Sequence, residues 1–315
     1  MESSAPRTTL TVFRIAAACT IAAVALGSVV CATESGFECG NWPGCQTGAL
    51  LPDNGLSAAL YRNPWIEMIH RTSAILAGPF ALASAVLSLR LRNVPSAVKI
   101  LPWITVLGAI VAGYVGRGIV LGVTFPAWVS AADLGSAVVA MAAIVTATVL
   151  LERPRRPAAS GRVAGWSWLG FGSALAMHLT SLYAAGAGSY TRCMSWPVAT
   201  ILQADTGTPV GLHAVRFGLA AVAGAAVVVA VLTARRHPEL RPTATAVGVA
   251  FALVLAFIGA IRISGDTDLG LWFSLASVGL LVGLVLLGAR AASAVGPVGG
   301  AGSRPRADVA GVATP

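Results

Sequence analysis

Two cysteines, Cys39 and Cys45, flank the segment Gly40-Asn41-Trp42-Pro43-Gly44. A loop this short can close, and its Gly and Pro favour a turn. In an oxidising compartment the pair forms either a structural staple or a redox-active disulfide that accepts or passes electrons. Glu67, His70 and Arg71 come next. The i, i+3 spacing of Glu67 and His70 puts both on one face of a helix. An imidazole beside a carboxylate can ligate a heme iron while the carboxylate transfers protons. The alternative is a Glu at the water interface capping the first turn of the helix, with His70 hydrogen-bonded to a neighbour. His213 is followed by Arg216, a cation suited to a heme propionate or to snorkelling toward water. Asp133 lies in an apolar stretch and calls for a partner, with His70, Arg71 and Arg117 as candidates. Cys193 lacks a partner at the spacing of the first pair, because Ala199 stands there; Cys31 is the alternative. Cys19 reads as inert packing. His178 has no counterpart elsewhere in the chain, and His237 falls in a loop.

These residues must be positioned by elements built for lipid. Of 315 residues, 56% are hydrophobic and 10% charged, against roughly 25% charged in a soluble domain. Apolar stretches of about 20 residues recur, each long enough to cross a bilayer as a helix. The sequence predicts an all-α integral membrane protein of about eight transmembrane helices, near 11–33, 65–89, 98–122, 125–151, 164–187, 208–233, 243–263 and 269–290. The basic residues then fall on one side: Arg7, Arg14, Arg90, Arg92, Lys99, Arg153, Arg155, Arg156, Arg162, Arg235, Arg236, Arg241, Arg290, Arg304 and Arg306. By the positive-inside rule that side is cytoplasmic, with both termini. The opposite loops carry Glu34, Glu38, Asp53, Asp205, Asp266 and Asp268. The net charge of +9 therefore reports topology, and no phosphate loop or zinc-finger spacing points to nucleic acid. The expected setting is a bacterial-type plasma membrane.

The chain divides into a four-helix half at 1–151, a linker at 152–163 rich in Pro and Arg, a second four-helix half at 164–290, and a disordered tail at 291–315. The halves share features. Cys39-Gly-Asn-Trp42-Pro43 and Cys193-Met-Ser-Trp196-Pro197 are both C-x-x-W-P, each between the first two spans of its half. His70 and His213 both sit near the outer start of the second span, and each is followed by Leu-Ala, at Leu76-Ala77 and Leu219-Ala220. A duplicated unit related by an axis along the membrane normal is expected.

The run Thr33-Glu-Ser35-Gly36-Phe-Glu-Cys39-Gly-Asn-Trp42-Pro43-Gly-Cys45, followed by Ile66-Glu67-Met-Ile-His70-Arg71, resembles the heme A synthase family. The eight-span duplicated layout extends the likeness over most of the chain. Such proteins oxidise a methyl group of heme O to the formyl group of heme A, for cytochrome oxidase assembly. The resemblance implies that His70 is an axial ligand where substrate heme O binds, and that Glu67 is the carboxylate near its reacting edge. It implies that Cys39 and Cys45 form the loop disulfide. It makes His213 a ligand of a heme b cofactor in the C-terminal half; Arg71 and Arg216 are candidates for heme propionates. Heme O synthase and cytochrome oxidase subunits become the implied protein partners, besides lipid and heme.

The departures are specific. The family carries further ligand histidines in the fourth and eighth spans. Here the fourth reads Ala131-Ala132-Asp133-Leu134-Gly135, which makes Asp133 an altered ligand or partner. The eighth reads Leu275-Ala276-Ser277-Val278, with no histidine in the span. Five-coordinate heme, an altered ligand and no heme all remain open. Heme A formation is the leading expectation. A non-catalytic heme-binding or oxidase-assembly protein is the first rival, and a quinone-linked thiol oxidoreductase using Cys39 and Cys45 is the second. A transporter is the third, but it lacks evident broken helices.

Overall fold

The computed structural model describes residues 6–53, 60–152, 161–184, 193–194, 196–197, 210–264 and 268–293. Among the described residues there are eight helices: α1 (Arg7–Ala32), α2 (Pro64–Leu89), α3 (Ser96–Val120), α4 (Ala127–Glu152), α5 (Gly161–Ala184), α6 (Val210–Ala234), α7 (Arg241–Ser264) and α8 (Gly270–Ser293). Seven are long and apolar enough to cross a membrane. The remaining one, α5, has 24 residues, a length of about 36 Å at the usual helical rise. It is more polar, with Arg162, Ser167, His178, Thr180 and Ser181 along it. The chain is an all-α, multi-pass membrane protein.

Local chemistry fixes the helix ends. At α2 the Asn63 side chain accepts the Trp65 N–H at 2.9 Å and Pro64 occupies the first helical position, so one orphan donor is capped and another is absent. Pro6 and Pro126 instead stand just before the first residues of α1 and α4, and at α1 no side chain caps the helix. Several helices run beyond the apolar stretch that announces them. Arg7 lies inside α1, and Glu152 and Arg162, expected in the linker, belong to α4 and α5. Helical hydrogen bonding does not stop at the edge of the hydrocarbon. The linker core at 153–160, the tail from 294, Ala199, Asp205 and Asp266 lie outside the described residues.

In the first half α1 packs on α2 and α4, α2 on α3, and α3 on α4, which closes a ring of four. In the second half α5 packs on α6 and α8, α6 on α7, and α7 on α8, in the same order. The rings meet where α8 touches α1 and α4, and where α4 touches α5. Accordingly half or more of the α4 and α8 spans is buried, against a third or less of the other candidate spans.

Small residues and hydroxyls make the close seams, as expected where lipid removes the hydrophobic drive between helices. A Cβ at Gly108 of α3 would lie 2.6 Å from the Ser136 carbonyl oxygen of α4. Beside it the Thr105 hydroxyl donates to the Ala140 carbonyl at 3.1 Å. At the end away from the disulfide loop, Arg14 of α1 donates from Nε to Glu152 of α4 at 2.6 Å.

Candidate functional site at the disulfide-bearing end

The polar residues singled out from the sequence gather at one end of the bundle, where α1, α3, α5 and α7 finish and α2, α4, α6 and α8 begin. This end also carries both disulfides, Cys39–Cys45 and Cys31–Cys193. The second of these joins the two halves, the alternative that the sequence left open for Cys193. Cys19 is a free thiol, partly buried.

Glu67 and Arg71 are both buried, at 2% and 6% exposure. They form an i, i+4 ion pair on α2. The Cys39 N–H donates to Glu67 Oε2 at 2.8 Å. Arg71 donates from Nη2 to the Cys39 carbonyl at 2.7 Å and from Nη1 to the Gly44 carbonyl at 2.9 Å, and also to the Asn41 carbonyl. The pair is a post on which the disulfide loop is hung. The guanidinium is thus committed to three loop carbonyls, and both Glu67 oxygens hold donors. Both cysteines are buried beneath this network. Trp42 is exposed on the loop, with the Arg117 guanidinium 5.4 Å from its ring centroid.

His70 lies against α1. A Cβ added at Gly27 would stand 3.2 Å from its Cε1, so the glycine makes room for the ring. Its Nδ1 has no hydrogen-bond partner among the described residues. Asp133 is partly buried on α4. Among the described residues no ion pair joins it to His70, Arg71 or Arg117. The structure therefore joins Glu67 to Arg71, and among the described residues it forms no ion pair between Asp133 and the partners considered for it.

The second half is arranged differently. His213 of α6 is 9% exposed and Arg216, one turn on, 2%. His178 of α5 is fully buried. Neither nitrogen of His178 or of His213 has a hydrogen-bond partner among the described residues. An unpartnered buried polar group costs about 1–3 kcal/mol, so two such imidazoles on neighbouring helices call for an explanation. Sequence reading assigned His178 nothing, because it has no equivalent in the first half. The available signal was an ionisable residue inside the least apolar span, since such residues mark sites.

Among the described residues no three of His, Cys, Asp and Glu converge as a metal site made by protein alone. A heme needs only one or two protein ligands, because the porphyrin supplies the other four. Two buried imidazoles and a buried arginine, His178, His213 and Arg216, stand on α5 and α6 at this end. A cleft of about 290 Å³ near Thr33, Tyr61, Asp268 and Trp272 contains none of these histidines. The Tyr61 hydroxyl bonds Asp268 across it at 2.9 Å. A comparison with protein-family models finds no match to this chain, and a comparison with curated proteins finds none either.

Proposed function

We propose that this chain is a heme-binding membrane protein of the heme A synthase type, holding a b-type heme in the outer half of its C-terminal bundle. The observation that carries the reading is the pair of buried imidazoles, His178 and His213, whose nitrogens are unsatisfied within the described structure. His213 is the iron ligand on this reading, and Arg216 neutralises a propionate in the low-dielectric interior. When bound, the heme supplies one-electron redox chemistry, and the surrounding helices exclude water and set its potential.

The oxidation of heme O to heme A in the first bundle is the activity that the resemblance suggests, with His70 as substrate ligand and Glu67 as carboxylate. One observation favours the rival reading, in which the protein binds heme for oxidase assembly without converting it. Glu67 is held by Arg71 and by the Cys39 N–H, a supporting role for the loop that leaves no oxygen without a donor. The disulfide loop, buried and pinned at several carbonyls, also has the features of a staple, which weighs against the thiol-oxidoreductase alternative.

The test is expression of the full chain in a host lacking its own heme A synthase, with pigment extracted from the membranes and from the purified protein. Heme A in the extract supports the synthase reading. Heme b bound with no heme A formed supports the assembly reading. A protein that carries no heme, and takes up neither heme b nor heme O when they are added, contradicts both.

A further inference from the structure

We infer that the cleft between the end of α1 and the start of α8 is a binding site for an organic ammonium group, presented in a bilayer by the headgroup of an aminophospholipid. The site lies apart from the histidines and does not depend on heme. Its volume is about 290 Å³, with Thr33 and Tyr61 on the first-half wall and Asp268 and Trp272 on the second. The two walls are tied together. Cys31, two residues before Thr33, is bonded to Cys193, and the Tyr61 hydroxyl donates to Asp268 Oδ1 at 2.9 Å. Within the first wall the Arg62 N–H donates to the Thr33 carbonyl at 2.8 Å, and the Arg62 side chain pairs with Glu34 at 3.3 Å. Glu34 and Arg62 hold φ at 53° and 52°, a left-handed backbone uncommon outside glycine.

The lining chemistry selects a cation. Asp268 brings a carboxylate, Tyr61 and Trp272 bring aromatic rings, and no Lys or Arg is among the described lining residues. Aromatic faces beside a carboxylate attract an ammonium group, whereas a phosphate would meet like charge and no basic side chain. Leu60 and Leu271 also line the cleft and suit the methylenes next to the nitrogen. The volume sits at the floor of the range for small-molecule pockets, about 300–1,000 Å³, which fits a headgroup rather than a whole lipid. Position agrees with this. Thr33 follows the last residue of α1 and Trp272 is the third of α8, the level at which spans leave the hydrocarbon and lipid headgroups begin. Leu60, Tyr61 and Trp272 are all exposed there. The plainer account has Tyr61 and Trp272 as interfacial anchors and Asp268 as a favourable charge at a helix start, strapped to Tyr61. A strap alone needs neither Trp272 nor a cleft beside it.

The experiment is native mass spectrometry of the full-length protein in detergent, titrated with phosphatidylethanolamine or with phosphatidylglycerol, which has no ammonium group. Wild type is expected to hold phosphatidylethanolamine about fivefold more tightly. Asp268→Asn keeps an acceptor for Tyr61, and Trp272→Leu removes an exposed ring. Each should weaken phosphatidylethanolamine by about fivefold, the scale of one exposed charge pair or cation–π contact. Trp272→Leu reads the site even where Asp268→Asn fails to fold. Tyr61→Phe removes the strap and keeps the ring, so the preference between the lipids should survive it. Free ethanolamine that displaces the lipid shows that a soluble amine fills the site; ethanolamine without effect assigns the site to the lipid headgroup. Equal retention of the two lipids by wild type, or a preference unchanged in both Asp268→Asn and Trp272→Leu, overturns the proposal and leaves Tyr61–Asp268 as a strap.

Discussion

Glu67 shows how a residue's neighbours decide its work. By spacing it pairs with either His70 at i+3 or Arg71 at i+4, and both faces are open to a helix. The structure selects Arg71, because the guanidinium can then gather three loop carbonyls while the carboxylate takes the Cys39 N–H. Removing one partner of a buried pair leaves a charge uncompensated, at a cost of roughly 3–5 kcal/mol. Glu67→Gln and Arg71→Ala should therefore each lower the melting temperature in detergent. Each should also expose Cys39 and Cys45 to reductant, seen as faster alkylation after brief thiol treatment. Wild-type alkylation rates in both variants would contradict the role of the pair as the loop's support. His70 is simpler: Gly27→Leu should displace its ring from α1, and any pigment held by His70 should be lost with it.

At the scale of the helix, the spans were legible because an apolar run of membrane length has few alternatives. Their partners were not, since every lipid-facing surface resembles every other in composition. The α3–α4 seam depends on one absent side chain. Gly108→Ala would press a Cβ into the Ser136 carbonyl, 2.6 Å away, and overpacking of this kind costs about 1–3 kcal/mol. Gly113→Ala, on the same helix, meets nothing within 4 Å. It should be neutral or slightly stabilising, by up to about 1 kcal/mol on helix propensity. Thermal unfolding of the two variants side by side distinguishes seam packing from a general effect of alanine. Equal melting temperatures would remove Gly108 from the account. Helix α5 shows the opposite case, where the element was found and its buried histidine passed over. His178 has no echo in the first half, so a search guided by repetition could not weigh it. Burial could, because only the fold shows that no hydrogen-bond partner meets it among the described residues.

For the whole molecule, the sequence predicts two four-helix halves, and the described helices pack as two rings in the same order that meet at α4 and α8. The Cys31–Cys193 disulfide spans 162 residues and ties one half to the other. The sequence left that bond open because Cys193 had lost the neighbour its repeat would give it. With a protease site placed in 153–160, cleavage should yield two fragments that run together on a denaturing gel until reductant is added. Cys31→Ser should release them without reductant, and fragments that separate in the unreduced wild type would contradict the link. At the disulfide-bearing end, the second bundle is proposed to hold a heme. The most direct test is the absorption spectrum of the purified full-length chain, with heme b added if none copurifies. The account predicts a protein-bound heme signal that His213→Ala abolishes or alters and that the same substitution at His70 leaves in place. No bound pigment in the wild type, or a signal that follows His70 and ignores His213, would contradict it.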